Sequence, residues 1–165
     1  MKYVGFLFMF IALISFSDKV NGQITSHSIQ GMITLKNMET ILDSFDRASV
    51  FKYLQKFNFG VREIGAVTDV YRDTITNREF RIGHYDDKIQ NIELWTKNGI
   101  EFHNFRSALE NGYRPLSSST YKGVFTSSFY VDHYYFRVLK MPEESGLLYI
   151  INLTNAKTPM RRTTH

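Results

Sequence analysis

No cysteine occurs in the 165 residues. Its absence excludes a disulfide framework, a thiolate metal site, a cysteine nucleophile and a lipid-attached N-terminal cysteine. Proline is almost as scarce at 3 residues and glycine supplies only 10, so neither a collagen-like fibre nor a Pro/Gly-rich disordered chain fits. Charge of one sign is also missing. The 20 Lys and Arg stand against 16 Asp and Glu, and the net +4 is not focused in any basic cluster, so solubility alone accounts for it. There is no G-x-S-x-G elbow, no glycine-rich phosphate loop and no H-E-x-x-H. The five histidines, His27, His84, His103, His133 and His165, show no zinc spacing.

What is present is apolar and aromatic. Hydrophobic residues make up 43% against 22% charged, enough to bury the core of one ordinary domain. Aromatics reach 15%, from 14 Phe, 10 Tyr and a single Trp. Such rings dominate cores and interfaces without naming a reaction.

Met1-Lys2 is a short basic start, followed over 3–16 by an almost unbroken apolar run of 14 residues. That length suits a secretory h-region and falls short of the roughly 20 residues of a membrane-spanning helix. Val20 and Gly22 are small enough to flank a cleavage site. The expectation is a signal peptide over 1–22, a secreted or periplasmic mature protein and no transmembrane anchor after cleavage. A cysteine-free exported chain must then hold itself together by packing alone, which is feasible at this length.

Residues 23–36 read as a leader, either mobile or an edge strand. From Met38 the apolar residues Met38, Ile41, Leu42 and Phe45 form one helical stripe. Val50, Phe51, Tyr53, Leu54 and Phe57 form a second, rotated by more than a right angle. One straight helix cannot serve both. The spacing predicts two pieces, 38–45 and 47–57, broken near 46–49 where Asp46 or Ser49 caps the next turn. Period-two strands follow at 67–73, 79–85 and 89–96. A second helix containing Phe102, Phe105, Ala108 and Leu109 ends at Gly112, read as a C′ glycine. Three more strands follow at 121–131, 133–139 and 147–154, and the last should turn Leu147, Tyr149, Ile151 and Leu153 toward the helices. The fold expected over 37–155 is α+β, a mostly antiparallel sheet of about six strands with helices on one face. Its halves, 37–97 and 100–155, fit a duplicated helix-then-three-strand unit as well as an unduplicated domain. The tail 156–165 loses its apolar periodicity and is expected to be disordered. Over 38–154 the element order resembles that of small secreted inhibitors built from tandem helix-and-sheet repeats, of the β-lactamase-inhibitor-like kind. Those proteins use disulfides, which this chain lacks.

Reactive constellations are thin. His84 with Asp86 and Asp87, and Asp132 with His133, place a base beside carboxylates at turns, where Asp is also common for local hydrogen bonding. They are the candidates for a small exported hydrolase. Glu143 and Glu144 lie in a solvated turn between Pro142 and Gly146, 117–120 looks like a loop, and Asn152-Leu153-Thr154 matches a glycosylation acceptor inside an expected strand. Arg72, Arg78, Arg81, Tyr71 and Tyr85 have the ingredients of a single-strand nucleic-acid platform. Asp69, Asp73, Glu79, Asp86 and Asp87 cancel its field, so no nucleic-acid partner is expected. No catalytic residue, metal or cofactor is assigned.

The aromatic distribution is the feature to follow. Strands 121–131 and 133–139 carry rings on both faces, while helices on one side cover only one. Either the rings form a covered core or a patch stays exposed. Trp95, Tyr130, Tyr135 and Arg137 are the candidate anchors, being residue types that dominate interfaces. The expected function is a non-enzymatic exported binding protein, of inhibitor or immunity type, whose partner is another protein or an envelope component. An envelope-associated structural or accessory protein and the hydrolase are the alternatives.

Overall fold

The computed structural model describes residues 31–156. The expected signal peptide, most of the leader and all but the first residue of the tail lie outside them. The chain divides into two compact units, Met1–Met32 and Ile33–His165, and the fold described is that of the second. In order, it comprises α1 (Leu35–Ser44), α2 (Arg47–Leu54) with a 3₁₀ turn (Gln55–Phe57), β1 (Gly60–Ile64), β2 (Thr68–Asp73), β3 (Arg78–Tyr85) and β4 (Lys88–Thr96). Then come α3 (Gly99–Gly112), β5 (Ser117–Tyr121), β6 (Val124–Val131), β7 (Tyr134–Glu143) and β8 (Gly146–Asn155).

The helix boundaries follow the caps. Thr34 accepts from the Asn37 N–H at 3.3 Å while the Asn37 side chain accepts from the Thr34 N–H at 2.8 Å, so α1 begins at Leu35, ahead of the apolar stripe at Met38. Phe45 ends α1 in an extended conformation, and Asp46 caps α2 by accepting from the Ser49 N–H at 2.8 Å. The expected break between the two stripes is there. Asn98 accepts from the N–H groups of Ile100 and Glu101 and so starts α3 at Gly99. Gly112 is the last residue of α3, not a left-handed residue beyond it.

All eight strands form one antiparallel sheet in the order β1-β2-β3-β4-β8-β7-β6-β5. The expected count of about six is corrected to eight, since β1 and β5, the two edges, had no visible pattern. Every residue in both is exposed, so neither has the buried half that makes period two legible. The expected strand 121–131 is in fact two, divided by a two-residue turn in which Lys122 and Gly123 have φ of 48° and 80°. Two helices and four strands are thus followed by one helix and four strands, and β4 and β8 meet at the centre.

One sheet face carries the core. Ile82, Phe80, Ile92, Leu94, Ile151, Leu153, Phe136, Val138 and Phe129 pack with Met38, Ile41, Val50, Leu54, Phe102, Phe105 and Leu109 from the three helices. Phe80 stands opposite Leu94 in the β3–β4 pair, and Phe136 opposite Leu153 in the β7–β8 pair. In β8, Ile151 and Leu153 are fully buried and Tyr149 stacks on Phe102 at 4.5 Å, as the alternation predicts; Leu147 is 39% exposed at the strand end. Within this core lies a charged group. Arg78 donates to Glu101 Oε1 at 2.9 Å, to Asp73 Oδ2 at 2.8 Å and to the Phe57 carbonyl at 3.2 Å.

Candidate functional site

The opposite sheet face bears no helix among the described residues. Strand alternation assigns Glu79 and Arg81 of β3, Glu93 and Trp95 of β4, Ile150 and Asn152 of β8, Tyr135, Arg137 and Leu139 of β7 and Tyr130 of β6 to that face. All four candidate anchors therefore share one surface. The register also sets their spacing: Trp95 is opposite Ile150, which pairs onward with Leu139, and Arg137 is opposite Asn152, which pairs with Glu93.

Trp95, Tyr135 and Arg137, with Glu93, Leu139, Ile150 and Asn152, line a depression of about 270 Å³. On the other side of Trp95 a second depression, about 200 Å³, is bounded by Arg72, Glu79, Arg81, Lys97 and Glu143 among others. The indole separates the two and lines both. Tyr130 stands directly across from Tyr135, 52% exposed.

The polar groups around the indole are fixed mainly by one another. Trp95 Nε1 donates to Glu93 Oε2 at 2.8 Å, and Asn152 Nδ2 donates to Glu93 Oε1 at 3.1 Å. The Arg81 guanidinium lies 3.7 Å from the indole centroid and donates to Glu79 at 2.9 Å. Such a stack contributes about 0.5 to 1 kcal/mol at an exposed site. Arg137 differs. It is exposed and makes no ion pair with a carboxylate among the described residues; its contact is with the Tyr135 ring, 5.7 Å away. Burial pushes the Tyr135 hydroxyl up, but hydrogen bonds with Ser128 and Arg137 outweigh it, leaving the phenol below its ordinary value.

The expected histidine pairs are not the ones that form. Asp86 and Asp87 take left-handed conformations in the β3–β4 turn and stay exposed. His84 is buried on the core face, with Nε2 3.4 Å from Asp69 Oδ1. That carboxylate is held by Arg47 Nε and Nη2, both at 2.7 Å, and by the Gly65 N–H at 3.2 Å. Burial pushes Asp69 up, yet the Arg47 hydrogen bond and charge win and hold it below its ordinary value. His133 likewise approaches Asp43 of α1, at 3.7 Å, instead of Asp132, which occupies a left-handed turn position. The Tyr134 hydroxyl also donates to Asp43; burial and that bond raise its pKa.

Sequence reasoning missed a cavity of about 500 Å³ between α2 and the β1–β2 edge, lined by Arg47, Phe51, Val61, Ile64, Asp69 and Tyr71 among others. Its signal is long-range and had no local form. The nucleic-acid platform is dispersed: Arg78 and Tyr71 are in the core, whereas Arg72 and Arg81 are on the open face. No group of three His, Asp or Glu suited to a metal occurs among the described residues, and none of their helices is long and apolar enough to cross a membrane. Comparison with protein-family models, characterised proteins and solved structures finds no match.

Proposed function

We propose that the protein is an exported, non-enzymatic binding protein whose working surface is the open sheet face around Trp95, Tyr135 and Arg137. The observation that carries the reading is the exposed Arg137 guanidinium, without a carboxylate partner among the described residues, beside an aromatic depression. Arginine and tryptophan in such a setting are the commonest interface anchors. The partner that fits is a protein, free or part of the envelope, that offers a carboxylate to Arg137 and an apolar group to the Trp95 depression. Its inhibitor or immunity character is part of the same proposal. The preset hydrogen bonds of Glu93, Asn152 and Arg81 limit the ordering cost of binding.

A hydrolase built on His84 has less support. Its imidazole side chain is 3% exposed, and Asp69, although it lines the cavity beside α2, already has both carboxylate oxygens held by Arg47. The test is capture from envelope extract with wild type, Trp95→Ala, Tyr130→Ala, Tyr135→Ala and Arg137→Glu in parallel, followed by binding measurements on the captured partner. Loss of about 1 to 3 kcal/mol at a true anchor, with an unchanged thermal midpoint, is the expected result. Four variants that bind like wild type would sink the proposal.

A further inference from the structure

The two edges of the sheet are treated differently. At one, β1 has a register shift between Val61 and Glu63, carries Arg62 and Glu63, and sends Arg62 to pair with Glu79. A bulge and charges are the usual devices that stop an edge from recruiting another strand. At the other edge, β5 is Ser-Ser-Ser-Thr-Tyr, with no charge, no proline and an unbroken register against β6 over Ser117–Tyr121. Neither a bulge nor a charged side chain protects Ser117–Tyr121 among the described residues.

The backbone geometry says which groups are free. Tyr121 and Val124 close a two-residue hairpin, so they exchange hydrogen bonds, and alternation then makes Ser119–Thr126 and Ser117–Ser128 the other bonded pairs. By that alternation the N–H and C=O groups of Ser118 and Thr120 point away from β6, and outside the sheet ladder no backbone hydrogen bond to them is present among the described residues.

We propose that β5 is the docking edge for a second copy of this chain, paired antiparallel about a two-fold axis at Ser119. That register sets Ser118 against Thr120 of the second copy and Thr120 against its Ser118, so all the outward groups are satisfied in four hydrogen bonds. No like charges face each other. Ser117 lies opposite Tyr121 and Leu116 opposite Lys122, which covers two exposed apolar side chains, Tyr121 at 71% and Leu116 at 63%. A foreign peptide fits less well. Specificity in strand addition comes from pockets for alternate side chains, and the serines of β5 supply none. Self-pairing needs no pocket because the symmetry supplies the match.

The contact is short, so association is expected only at concentrations on the order of 100 µM to 1 mM, well below the stability of a standard-sized interface. Sedimentation velocity of the protein as its host makes it should show the mass rising toward twice the monomer over that range. Ser119 is exposed and lies on the two-fold axis, so Ser119→Lys and Ser119→Glu each place like charges face to face without touching the core. Each variant alone should remain monomeric, and an equimolar mixture should recover the dimer in a salt-sensitive way. A wild type that stays monomeric throughout overturns the proposal. So does a Ser119→Lys variant that dimerises like wild type, or a mixture that fails to recover association.

Discussion

Replacing Arg78 with methionine would strand two carboxylates inside the core. The guanidinium is the only cation bonded to Asp73 and Glu101 among the described residues, and the side chains are 5%, 1% and 0% exposed respectively. Removing one partner of a buried ion pair typically costs about 3 to 5 kcal/mol, because the remaining charge is left uncompensated. The loss will not divide evenly. Asp73 keeps the Ile75 N–H at 2.9 Å, the Thr76 N–H at 3.3 Å and the Thr76 hydroxyl. Among the described residues Glu101 keeps only the Ile33 N–H, 3.0 Å from Oε1, while its Oε2 has no hydrogen-bond partner. Most of the penalty therefore falls on Glu101. Arg78→Met is expected to lose about 3 to 4 kcal/mol, and adding Glu101→Leu should restore at least about 1 kcal/mol by removing the stranded charge. Urea unfolding followed by fluorescence measures both, since Trp95 is the only tryptophan and lies on the opposite face. With a urea slope of about 1 to 3 kcal/mol per molar, the first variant should shift the midpoint by about 1 M or more. A loss below about 1 kcal/mol, or a double variant no better than the single, would refute this account of the network.

Ile151→Ala should cost about 2 to 4 kcal/mol through lost burial and a cavity, whereas Asn152→Ala, on the open face, should cost far less; equal losses in denaturant melts would reverse the face assignment. Asn98→Ala should cost about 1 kcal/mol, because two N–H groups at the start of α3 lose their acceptor, and a thermal midpoint equal to wild type would contradict that cap. Asp69 and Asp73 are both held below the ordinary aspartate value of 3.8 in the folded protein. A depressed folded value adds stability above the unfolded value and loses it as pH falls through the folded one. Urea midpoints should therefore fall steadily once the pH drops below about 4, and more shallowly in Asp69→Asn; identical slopes would remove Asp69 from the explanation.

How much of the fold could be read in advance depended on whether a residue's neighbours left a local imprint. From Arg78 to Gly83 in β3 and from Asn91 to Thr96 in β4, core and open-face residues alternate without interruption, so the faces of Phe80, Ile82, Ile92 and Leu94 were legible from spacing alone. The edges β1 and β5 bury nothing and left no imprint. Similarly, an apolar stripe marks where a helix touches the core, not where its hydrogen bonding starts. Thr34 and Asn37 add the first turn of α1 outside the stripe, and the hairpin at Lys122 depends on a left-handed lysine that composition does not suggest.

The same distinction explains the candidate site. That Trp95, Tyr135 and Arg137 point away from the core follows from parity within each strand, which is local. That they border one depression follows from the order β4-β8-β7, in which β8 supplies Ile150 and Asn152 between them. Nothing within β4 names β8 as its neighbour. The histidines show the converse error. Asp86 and Asp87 are next to His84 in sequence, but the left-handed turn that joins β3 to β4 leaves both exposed. Asp69 is distant in sequence, yet it stands opposite Ile82 on β2, on the same face as His84 and one diagonal step away. In an antiparallel sheet such cross-strand diagonals lie within side-chain reach, whereas adjacent residues along one strand point to opposite faces. A base and a carboxylate side by side in a hairpin sequence are therefore weaker evidence for a pair than two placed at equal parity on neighbouring strands.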